Sequence, residues 1–475
     1  MLDVAVIGAG VVGGLVAREL AKYELEVCIL EAGADVALGA TKANSAIVHA
    51  GFDAQPGTLK ARLNLRGSAM MSRLCSELGV KYKNNGSLVV GFSLEDRHTL
   101  EQLLLRGKEN GVSGLSIIER DEILKLEKNI GDGVTVALLA ETGAIVCPYE
   151  LCIAAVGNAM DNGVQLRLNF DVRKIEKLDG GYRICSGDGC VDAKTVINCA
   201  GVRADEVASL VGDSSFSIRP RRGEYLLLDR ECGELVSHTV FRCPTKMGKG
   251  VLVTPTVDGN ILIGPSADDI DDKTDVDTTR ERLEWIKARA AEQVSGINYA
   301  KTITSFAGLR AVGTTGDFII NEKDGFINVA AIESPGLTAS PAIAEYVAQL
   351  LRSSGVELRQ KADFSPVRAP YHRFRELSGE EKNEVISRDR SFAHVICRCE
   401  GVTEGEIREA IRRNPRPTDT DGVKRRTRAQ MGRCQGGFCM PYVVEILSEE
   451  LGVPYDEVTK QGGKSKINIG RTKED

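Results

Sequence analysis

A glycine pattern near the N-terminus constrains the fold of this chain more than any other feature. Gly8, Gly10 and Gly13 follow the apolar run of residues 4–7 and precede the helical pattern of residues 15–21. The first glycine of such a pattern permits a tight turn, the second lets the backbone approach a pyrophosphate, and the third lets helix and strand pack closely. The spacing therefore predicts a phosphate-binding turn between a strand and a helix.

A second apolar run completes the unit and ends at an acidic residue. Residues 27–30 form the next predicted strand, and Glu31 follows it, 18 residues after Gly13. A βαβ unit of this kind predicts dinucleotide binding, with Glu31 accepting hydrogen bonds from ribose hydroxyls and the helix N-terminus facing the phosphates. A plain glycine turn is the alternative. The motif does not separate FAD from NAD, but a single such unit at the very start of the chain favours FAD.

The length and charge of the chain limit its class. Its 475 residues exceed the roughly 250–300 at which one hydrophobic core stops growing, so two or three domains are expected. A content of 42% apolar and 27% charged residues is typical of globular proteins. The net charge of -6 gives no basic field for nucleic acid, and no apolar run reaches the roughly 18–20 residues of a membrane span. Without a leader-like start we expect a cytoplasmic protein, with peripheral membrane association left open.

The later apolar runs alternate with helical stretches. Strands are predicted at residues 87–91, 195–200, 224–228, 251–254, 261–263 and 326–330, and helices at 279–294 and 340–351. This alternation is typical of an α/β fold with an added antiparallel portion. Residues 363–392, with Pro366, Pro370 and a charged run from 373 to 390, bury little in this interpretation and predict a linker or connecting helix. A small module begins near residue 393.

Five segments resemble one family of flavoproteins, in the same order along the chain. They are GATKANSAIVHAG at residues 39–51, PGTLKA at 56–61, VINCAG at 196–201, RPRRGEY at 219–225 and SPGLTASP at 334–341. Together they resemble the glycerol-3-phosphate dehydrogenase and oxidase branch of the D-amino-acid-oxidase-like flavoproteins, and the first segment also resembles 2-hydroxyglutarate oxidases. The resemblance covers roughly residues 1–360.

This resemblance implies FAD as the cofactor and an α/β fold over residues 1–362, a Rossmann-like FAD-binding domain with an interleaved antiparallel-sheet substrate domain. The FAD part would take residues 1–80, 145–215 and 315–362, and the substrate part 81–144 and 216–314. Residues 336–338 would lie beside the flavin pyrimidine at a helix start, where amide donors favour the anionic reduced flavin. The implied FAD contacts are Gly8, Gly10, Gly13, Glu31, Thr41, Lys42, Asn44, Ser45, Val172, Ala200, Gly201, Gly336, Leu337 and Thr338.

Hydride transfer from a secondary alcohol needs a base for the hydroxyl proton and cations for an anionic substrate tail. His49 is the predicted base, because imidazole titrates near neutral pH and the resemblance places it over the flavin; a packed loop histidine is the alternative. Arg310 matches the arginine of the family's substrate wall and would hold a carboxylate or phosphate, unless it forms a structural ion pair. Lys249 is either a substrate-facing cation or a solvated loop lysine. Arg222 and Lys246 are weaker candidates.

Four of the 13 cysteines stand in two close pairs near the C-terminus. Cys397 and Cys399 form C-x-C, and Cys434 and Cys439 form C-x4-C after 34 intervening residues. Two pairs of thiolates suit a [2Fe-2S] cluster, with zinc or inert thiols as alternatives. The module, residues 393–452, resembles the bacterioferritin-associated-ferredoxin-like [2Fe-2S] domain. Its C-x4-C pair departs from the C-x2-C of that prototype and agrees with the C-terminus of anaerobic glycerol-3-phosphate dehydrogenase catalytic subunits.

The residues around these pairs add detail. Thr403 and Glu406 form a capping-box pattern, and Pro441 suits the first turn of a helix, so the anionic cluster would sit near helix N-termini. The basic run 424–428, with Arg433, would stabilise the cluster or dock the module on a partner, unless it is only a solvated face. Residues 453–475 are predicted to form a tail. The nine other cysteines lack ligand spacing and are predicted to be mostly small apolar fillers: Cys28, Cys75, Cys147, Cys152, Cys185, Cys190, Cys199, Cys232 and Cys243.

Three functions follow from the residues and from the resemblance. The first is an FAD-dependent dehydrogenase that oxidises the small anionic substrate sn-glycerol 3-phosphate to dihydroxyacetone phosphate and passes electrons through the cluster to a partner flavoprotein or quinone-linked subunit. The second applies the same chemistry to a 2-hydroxy acid such as 2-hydroxyglutarate. The third is a non-catalytic electron-transfer subunit. The cluster favours a dehydrogenase, because an oxidase that returns both electrons to dioxygen needs no one-electron relay.

Overall fold

The computed structural model describes residues 1–244 and 250–470. Its strands are β1 (Leu2–Ile7), β2 (Val27–Leu30), β3 (Ile47–Val48), β4 (Tyr82–Lys83), β5 (Ser87–Gly91), β6 (Leu115–Glu119), β7 (Val136–Ala140), β8 (Ala144–Val146), β9 (Gln165–Arg167), β10 (Lys174–Leu178), β11 (Gly181–Ser186), β12 (Gly189–Asn198), β13 (Ile218–Leu228), β14 (Thr239–Arg242), β15 (Leu252–Pro255), β16 (Ile261–Gly264), β17 (Asp268–Asp269), β18 (Thr302–Gly313), β19 (Ile319–Lys323), β20 (Phe326–Ala330), β21 (Val395–Cys397) and β22 (Val402–Thr403). Its α-helices are α1 (Val11–Leu20), α2 (Leu59–Leu78), α3 (Leu94–Glu109), α4 (Arg120–Leu126), α5 (Pro148–Asp161), α6 (Ala204–Ser209), α7 (Arg280–Gln293), α8 (Gly336–Ser353), α9 (Gly379–Arg388), α10 (Glu404–Arg412), α11 (Thr420–Thr427) and α12 (Met440–Leu451). The α/β class expected from the sequence is confirmed. None of the helices described is long and apolar enough to cross a bilayer.

An eight-stranded sheet carries the N-terminal βαβ unit. Its order is β10-β11-β12-β1-β2-β9, and β20 pairs with both β12 and β19. Strand β1 runs parallel to β2 and to β12, with Ile7 opposite Asn198. Leu15 and Leu20 of α1 pack with Ile343 of α8 in the largest core. The carboxyl ends of β1 and β12 therefore lie side by side at one edge of the sheet, where ligands bind in open α/β folds.

A nine-stranded, mostly antiparallel sheet takes its strands from residues 87–140 and 218–313. Its order is β17-β13-β16-β15-β14-β5-β7-β6, and β18 pairs with β13 along its length. That pairing places Arg310 opposite Arg221. A second core lies against this sheet, and Leu88, Val253 and Ile286 are among its fully covered members. A smaller sheet, β3-β8-β4, contributes the strand that leads into His49.

The C-terminal module consists mainly of helices α10, α11 and α12, with the short β21-β22 pair in front of them. Thr403 accepts a hydrogen bond from the Glu406 backbone, and the Glu406 carboxylate accepts one from the Thr403 backbone at 2.7 Å. The capping box and the placement of Pro441 in the first turn of α12 are both confirmed. Residues 453–470 continue across the module, where Val458 is buried in the same core and Thr459 pairs with Asp419.

The cysteine prediction is wrong at one pair. Cys185 and Cys190 form a disulfide across the β11–β12 hairpin, because the antiparallel register places them opposite each other. The remaining seven cysteines outside the module are free thiols, and all but Cys232 are buried. Those six agree with the predicted role of small apolar fillers.

The charged segment after residue 362 makes more contacts than its sequence predicts. Arg373 donates to Glu150 of α5, and Arg375 donates to Glu400 of the module at 2.8 Å. The side chains of these two arginines are only 22% and 21% exposed. The expectation that this segment buries little holds for α9, which has no buried residue. It fails at Arg373 and Arg375 and most clearly at Arg368, which is 6% exposed, because polar and acidic partners from other regions converge on them.

Candidate functional site

The glycine turn after β1 has a shape that side chains would block. Gly8 has a φ of +102°, and a Cβ on Gly13 would lie 2.0 Å from the Gly8 carbonyl oxygen. Helix α1 begins directly after Gly10. Gly10 is the N-cap residue and provides no side-chain hydrogen bond to the helix. The Val11 N–H donates to Thr41 Oγ1 at 3.0 Å. Backbone donors at an uncapped helix start form the kind of cradle that a pyrophosphate fills, so the turn fits FAD.

Glu31 lies against this turn at the end of β2. Its carboxylate accepts hydrogen bonds from Ala9 N–H at 2.7 Å and from Gly33 N–H at 2.8 Å. Burial raises the pKa of Glu31, although these two hydrogen bonds oppose the rise. A carboxylate has about four lone-pair sites, so two would remain for ribose hydroxyls. Glu31 thus both shapes the turn and has acceptor capacity for a ribose.

The end of β12 lies beside the same turn. A Cβ on Gly8 would lie 2.5 Å from the carbonyl oxygen of Cys199, which shows how closely the two strand ends approach. The Ala200 N–H donates to Asn198 Oδ1 at 3.3 Å, and Gly201 takes a φ of +59°. Val172 and Ala200 pack against one apolar cluster next to β1. The structure therefore brings these predicted contacts together at the edge that carries the glycine turn.

The segment of residues 41–45 lies between the two large sheets. Lys42 is exposed, and Asn44 donates to the Thr41 carbonyl at 2.9 Å, which closes the loop on itself. Ser45 Oγ lies 3.1 Å from the hydroxyl of Tyr225 on β13. A Cβ on Gly308 of β18 would lie 1.9 Å from the Ala43 carbonyl oxygen, so this strand presses directly on the segment. The close approach sets the position of Arg310, which is two residues further along β18.

His49 follows β3 and meets the start of α8. Its backbone N–H donates to Thr338 Oγ1 at 2.9 Å, and its Nε2 lies 3.4 Å from Ser334 Oγ. Its ring centroid lies 6.0 Å from that of Phe241 on β14. Helix α8 begins at Gly336 without a side-chain cap, and Leu337 packs against the main core. The histidine is thus partly exposed, with its backbone fixed and its ring between the helix start and the substrate-side sheet.

Arg310 lies on β18 with a polar contact to a carbonyl. Its guanidinium donates to the Ser266 carbonyl at 2.9 Å. A Cβ on Gly223 would lie 2.7 Å from the same guanidinium, so the glycine leaves room for it. Arg222, by contrast, is paired with Asp275 and lies 3.8 Å from Glu224, which makes it a structural residue. The predicted cations Lys249 and Lys246 lie outside the described residues.

The four module cysteines stand as two sulfur pairs. Cys399 Sγ donates to Cys434 Sγ at 3.6 Å, and Cys397 is hydrogen-bonded to Cys439. The hydrogen bond from Cys439 lowers the pKa of Cys397 to about 6 and raises the pKa of Cys439. Cys397 and Cys439 are 1% and 2% exposed, whereas Cys399 and Cys434 are half-buried. Two pairs of close sulfurs, one covered and one partly open to solvent, fit a [2Fe-2S] cluster.

Donors surround these sulfurs. Burial alone would raise the pKa of Cys434, but the hydrogen bond from Cys399 and those from the backbone of Gly436, Phe438 and Gly437 lower it. The Nε2 of Gln430 is buried without a hydrogen-bond partner, although the backbone of the same residue donates to Cys397. A backbone donor to the thiols, on a residue whose side-chain amide is also buried without a partner, fits a negatively charged inorganic group. Sequence reasoning missed Gln430, which has no spacing relation to the cysteines.

The basic run around α11 does not face solvent or a separate partner. Arg425 and Arg426 bind Asp35, which lies in the loop after Glu31. Arg428 donates to Asp258 at 2.8 Å and to Glu400 at 2.9 Å. Two of the three expectations for this run, a solvated face and a partner-docking face, are wrong for these three arginines, because acidic groups of the same chain hold them. Stabilisation of the cluster charge stays a prediction. Asp35 follows Glu31 by four residues, and that proximity to the glycine unit is the only sequence sign of its role.

Two family models match the chain. The FAD dependent oxidoreductase model, DAO, covers residues 3–350, and the BFD-like [2Fe-2S] binding domain model covers residues 395–449. The cofactors FAD and [2Fe-2S] expected from the sequence are thereby confirmed. The second match favours a [2Fe-2S] cluster over zinc or inert thiols in this module, and the four cysteines stay its predicted ligands.

Three of the known proteins that are similar to the chain bear most directly on its chemistry. A glycerol 3-phosphate dehydrogenase of Caloramator mitchellensis is 50% identical over 476 residues, 100% of this chain and 99% of its own length. The solved structure of L-alpha-glycerophosphate oxidase from Mycoplasma pneumoniae, with FAD bound, has a TM-score of 0.74 and 31% identity, and the match covers 78% of this chain and 99% of that one. An L-2-hydroxyglutarate dehydrogenase of Bos taurus is 31% identical over 56% of this chain and 60% of its own length.

Proposed function

The chain belongs to the FAD dependent oxidoreductase family and carries a [2Fe-2S] domain, and we propose that it oxidises sn-glycerol 3-phosphate to dihydroxyacetone phosphate. The single observation that carries this proposal is the match over the whole chain, module included, to a glycerol 3-phosphate dehydrogenase. FAD would supply the hydride acceptor, and the cluster would supply a one-electron carrier. Electrons would then leave through the cluster to a partner protein.

His49 is proposed as the base that takes the substrate hydroxyl proton. The hydrogen bond from its backbone to Thr338 supports this role, because it fixes the residue at the uncapped start of α8. The contact between Nε2 and Ser334 Oγ orients the ring. A general base must lie within hydrogen-bond reach of the proton it removes, and a ring that is held in place but partly exposed satisfies that need.

Arg310 is proposed to hold the phosphate of the substrate. Its guanidinium is hydrogen-bonded to a carbonyl oxygen, and no carboxylate of the described residues forms an ion pair with it. The planar fork of arginine binds phosphate in a bidentate fashion. Its strand neighbours Arg221 and Arg222 are paired with Asp269 and Asp275, so their charges are already compensated. This difference supports Arg310 as the phosphate ligand.

The module supports a dehydrogenase over an oxidase. The similar Mycoplasma oxidase structure is matched almost to its full length by only part of this chain, and the chain adds the [2Fe-2S] domain beyond that shared part. A relay that accepts single electrons is useful when the final acceptor is another protein. We therefore propose an electron-accepting flavoprotein or quinone-linked subunit as the partner.

A 2-hydroxy acid such as 2-hydroxyglutarate is the second candidate substrate. It is favoured by the similarity to an L-2-hydroxyglutarate dehydrogenase, although that similarity spans 56% of this chain. Arg310 would bind a carboxylate as readily as a phosphate, so the geometry of this residue does not separate the two substrates.

Anaerobic titration of the purified holoprotein tests the proposal. Glycerol 3-phosphate, L-2-hydroxyglutarate, D-2-hydroxyglutarate and glycerol are added in separate experiments, and the flavin absorbance and the reduced-cluster EPR spectrum are recorded together. We expect glycerol 3-phosphate to bleach the flavin and then reduce the cluster, while glycerol, which lacks the phosphate, does neither. Bleaching by a hydroxyglutarate alone would replace the proposed substrate with the second candidate, and no bleaching by any compound would contradict both.

A further inference from the structure

Helix α11 of the module rests on the loop that follows Glu31. Arg426 donates to both carboxylate oxygens of Asp35, each at 2.8 Å, and Arg425 donates to Oδ2 at 2.6 Å. Asp35 is fully buried, and the two arginines are each 7% exposed. We call these three residues the latch. It joins positions that are 390 and 391 residues apart in the sequence.

Asp35 and Arg426 have their hydrogen bonding satisfied in the latch, whereas the Nε of Arg425 is buried without a hydrogen-bond partner. Arg426 also donates to the carbonyl oxygens of Pro415 and Gly422, at 2.8 Å and 2.9 Å, so all of its nitrogens are used. A buried ion pair stabilises an interface only when its remaining donors and acceptors are satisfied. Burial alone would raise the pKa of Asp35, but the two arginines lower it to about 2, so the carboxylate stays ionised at neutral pH.

Shape fixes the same contact independently of charge. A Cβ on Gly422 would lie 3.2 Å from Asp35 Oδ2, and a Cβ on Gly462 would lie 2.2 Å from the Cβ of Ala34. A side chain at position 462 would collide with Ala34, and one at position 422 would crowd Asp35, so glycine favours this close approach at both positions. The module therefore packs directly against the loop that follows Glu31.

The loop is connected in turn to the phosphate turn. The Val36 N–H donates to Asp35 Oδ1 at 2.8 Å, and the Ala37 N–H donates to the Ala9 carbonyl at 2.9 Å. Ala9 is the middle residue of the glycine turn, and its own N–H is held by Glu31. A short series of hydrogen bonds thus leads from the guanidinium of Arg426 to the backbone that would contact the pyrophosphate.

We propose that Asp35, Arg425 and Arg426 are positioning residues of the FAD site, so that docking of the iron–sulfur module and binding of FAD stabilise each other. The inference rests on the assignment of FAD to the glycine turn and not on the identity of the substrate. Because coupling between two sites is reciprocal, the module strengthens FAD binding by the same factor by which FAD strengthens docking. The module would therefore support the flavin site through the loop that follows Glu31, as well as carry electrons.

The first test needs no substitution. FAD is removed from the holoprotein, and hydrogen–deuterium exchange of the α11 amides is compared with and without added FAD. We expect FAD to slow exchange in residues 420–427 as well as in the loop of residues 31–37. Slower exchange in the loop together with unchanged exchange in α11 would overturn the proposal. FAD binding is measured without any substrate, so failure of the proposed substrate does not affect this result.

The second test measures the FAD dissociation constant by fluorescence titration of FAD-free protein. Asp35→Asn leaves two buried guanidinium groups uncompensated, and we expect at least about a tenfold weaker FAD affinity, which corresponds to roughly 1.4 kcal/mol. Arg412→Gln is the matched control, because Arg412 is paired with Glu450 inside the module. The FAD affinity of this variant should match that of the parent protein. An Asp35→Asn affinity within about twofold of the parent, roughly 0.4 kcal/mol, would contradict the proposal.

A third variant separates loss of the latch from a general folding defect. The double change Asp35→Asn with Arg426→Gln removes one charge from each side and leaves a smaller imbalance in the latch. Its module should retain the cluster absorbance, which reports that the module is folded. We expect its FAD affinity still to be weakened, because the neutral amides no longer hold the loop. Parent-like FAD affinity in this variant would also overturn the inference.

Discussion

The two cofactor regions of the molecule are built on opposite principles. The glycine turn depends on missing side chains, since a Cβ on Gly13 would collide with a carbonyl oxygen, and helix α1 after it has no side-chain cap. The module depends on side chains that are present, with four thiols in two pairs and helix α10 closed by the capping box of Thr403. A site formed by backbone should fail through steric collision, whereas a site formed by side chains should fail through loss of a ligand. The predictions below test this contrast.

The largest effect on cofactor binding is expected from Gly13→Ala. The added Cβ would lie 2.0 Å from the Gly8 carbonyl oxygen, so the turn must open. We expect FAD affinity to fall by about 1,000-fold or more, roughly 4 kcal/mol, while the cluster absorbance persists. Gly187→Ala is the control, because no atom lies within 4 Å of a Cβ at that position. Retention of FAD by Gly13→Ala after purification would contradict the expectation that a site formed by backbone fails through steric collision.

Cys434→Ser should produce the opposite pattern. Serine is a poor substitute for a thiolate ligand, so we expect the cluster absorbance and EPR signal to be lost. Flavin reduction by substrate should stay within about twofold of the parent rate as long as the module remains docked, since Cys434 belongs neither to the latch nor to the glycine turn. Cys232→Ser, at a partly exposed cysteine outside the module, should change neither signal. A persistent [2Fe-2S] spectrum in Cys434→Ser would remove this residue from the ligand set.

His49→Asn affects chemistry without removing either cofactor. Loss of a general base lowers rates by about 100- to 10,000-fold, so anaerobic flavin reduction by substrate should slow by that range. The flavin content should remain that of the parent protein, because the backbone N–H that binds Thr338 is unchanged. His98→Asn, at an exposed histidine of α3, serves as the control. Flavin reduction at the parent rate in His49→Asn would exclude this residue as the base.

Local patterns made several of the separate elements predictable. The strands at residues 87–91 and 326–330 have the predicted bounds, and α7 and the Thr403 cap match their sequence signals. Glycine spacing indicates the phosphate turn because the steric requirement is contained in a few adjacent residues. Cysteine spacing indicates the cluster for the same reason, since each ligand pair is local.

The contacts between the two regions were not predictable in this way. Arg425 and Arg426 form a basic run in the sequence, but nothing local indicates that Asp35 is their partner. The Cys185–Cys190 disulfide was missed because it depends on the register of a hairpin, not on a spacing typical of ligands. Long-range ion pairs and strand register are fixed by the tertiary fold, and composition or periodicity does not specify them.

Asp258→Asn tests the second junction between module and body. Asp258 is nearly buried and accepts ion pairs from Arg428 at 2.8 Å and Lys81 at 3.1 Å, with Arg375 3.4 Å away. Removing one partner from such a buried network costs about 3–5 kcal/mol. We expect a thermal denaturation midpoint several degrees lower, and faster proteolysis between residues 363 and 392. Glu357→Gln, which removes an exposed pair, should leave the midpoint unchanged.

The same junction should respond to acid. Burial alone would raise the pKa of Asp258, but Arg428 and the neighbouring cations lower it below its ordinary value. A carboxyl with a lowered pKa stabilises the fold fully above its unfolded pKa of about 3.9 and loses that contribution as pH falls through the folded value. The difference in midpoint between Asp258→Asn and the parent should therefore shrink below about pH 4. An unchanged difference at low pH would mean that the effect is not electrostatic.

Thr403→Ala is expected to have the smallest effect. It removes the side-chain cap of α10, and loss of a threonine cap costs about 1 kcal/mol, so the denaturation midpoint of the module should fall by a few degrees. Ser378→Ala removes the same kind of capping box from α9, which buries no residue, and should have a weaker effect. Equal drops in the denaturation midpoint for Thr403→Ala and Ser378→Ala would show that each cap acts only on its own helix. A larger drop in the denaturation midpoint for Thr403→Ala, with the cluster spectrum intact, would show that side-chain capping stabilises the module. In the flavin site, by contrast, the start of helix α1 carries no side-chain cap and is left open for a ligand.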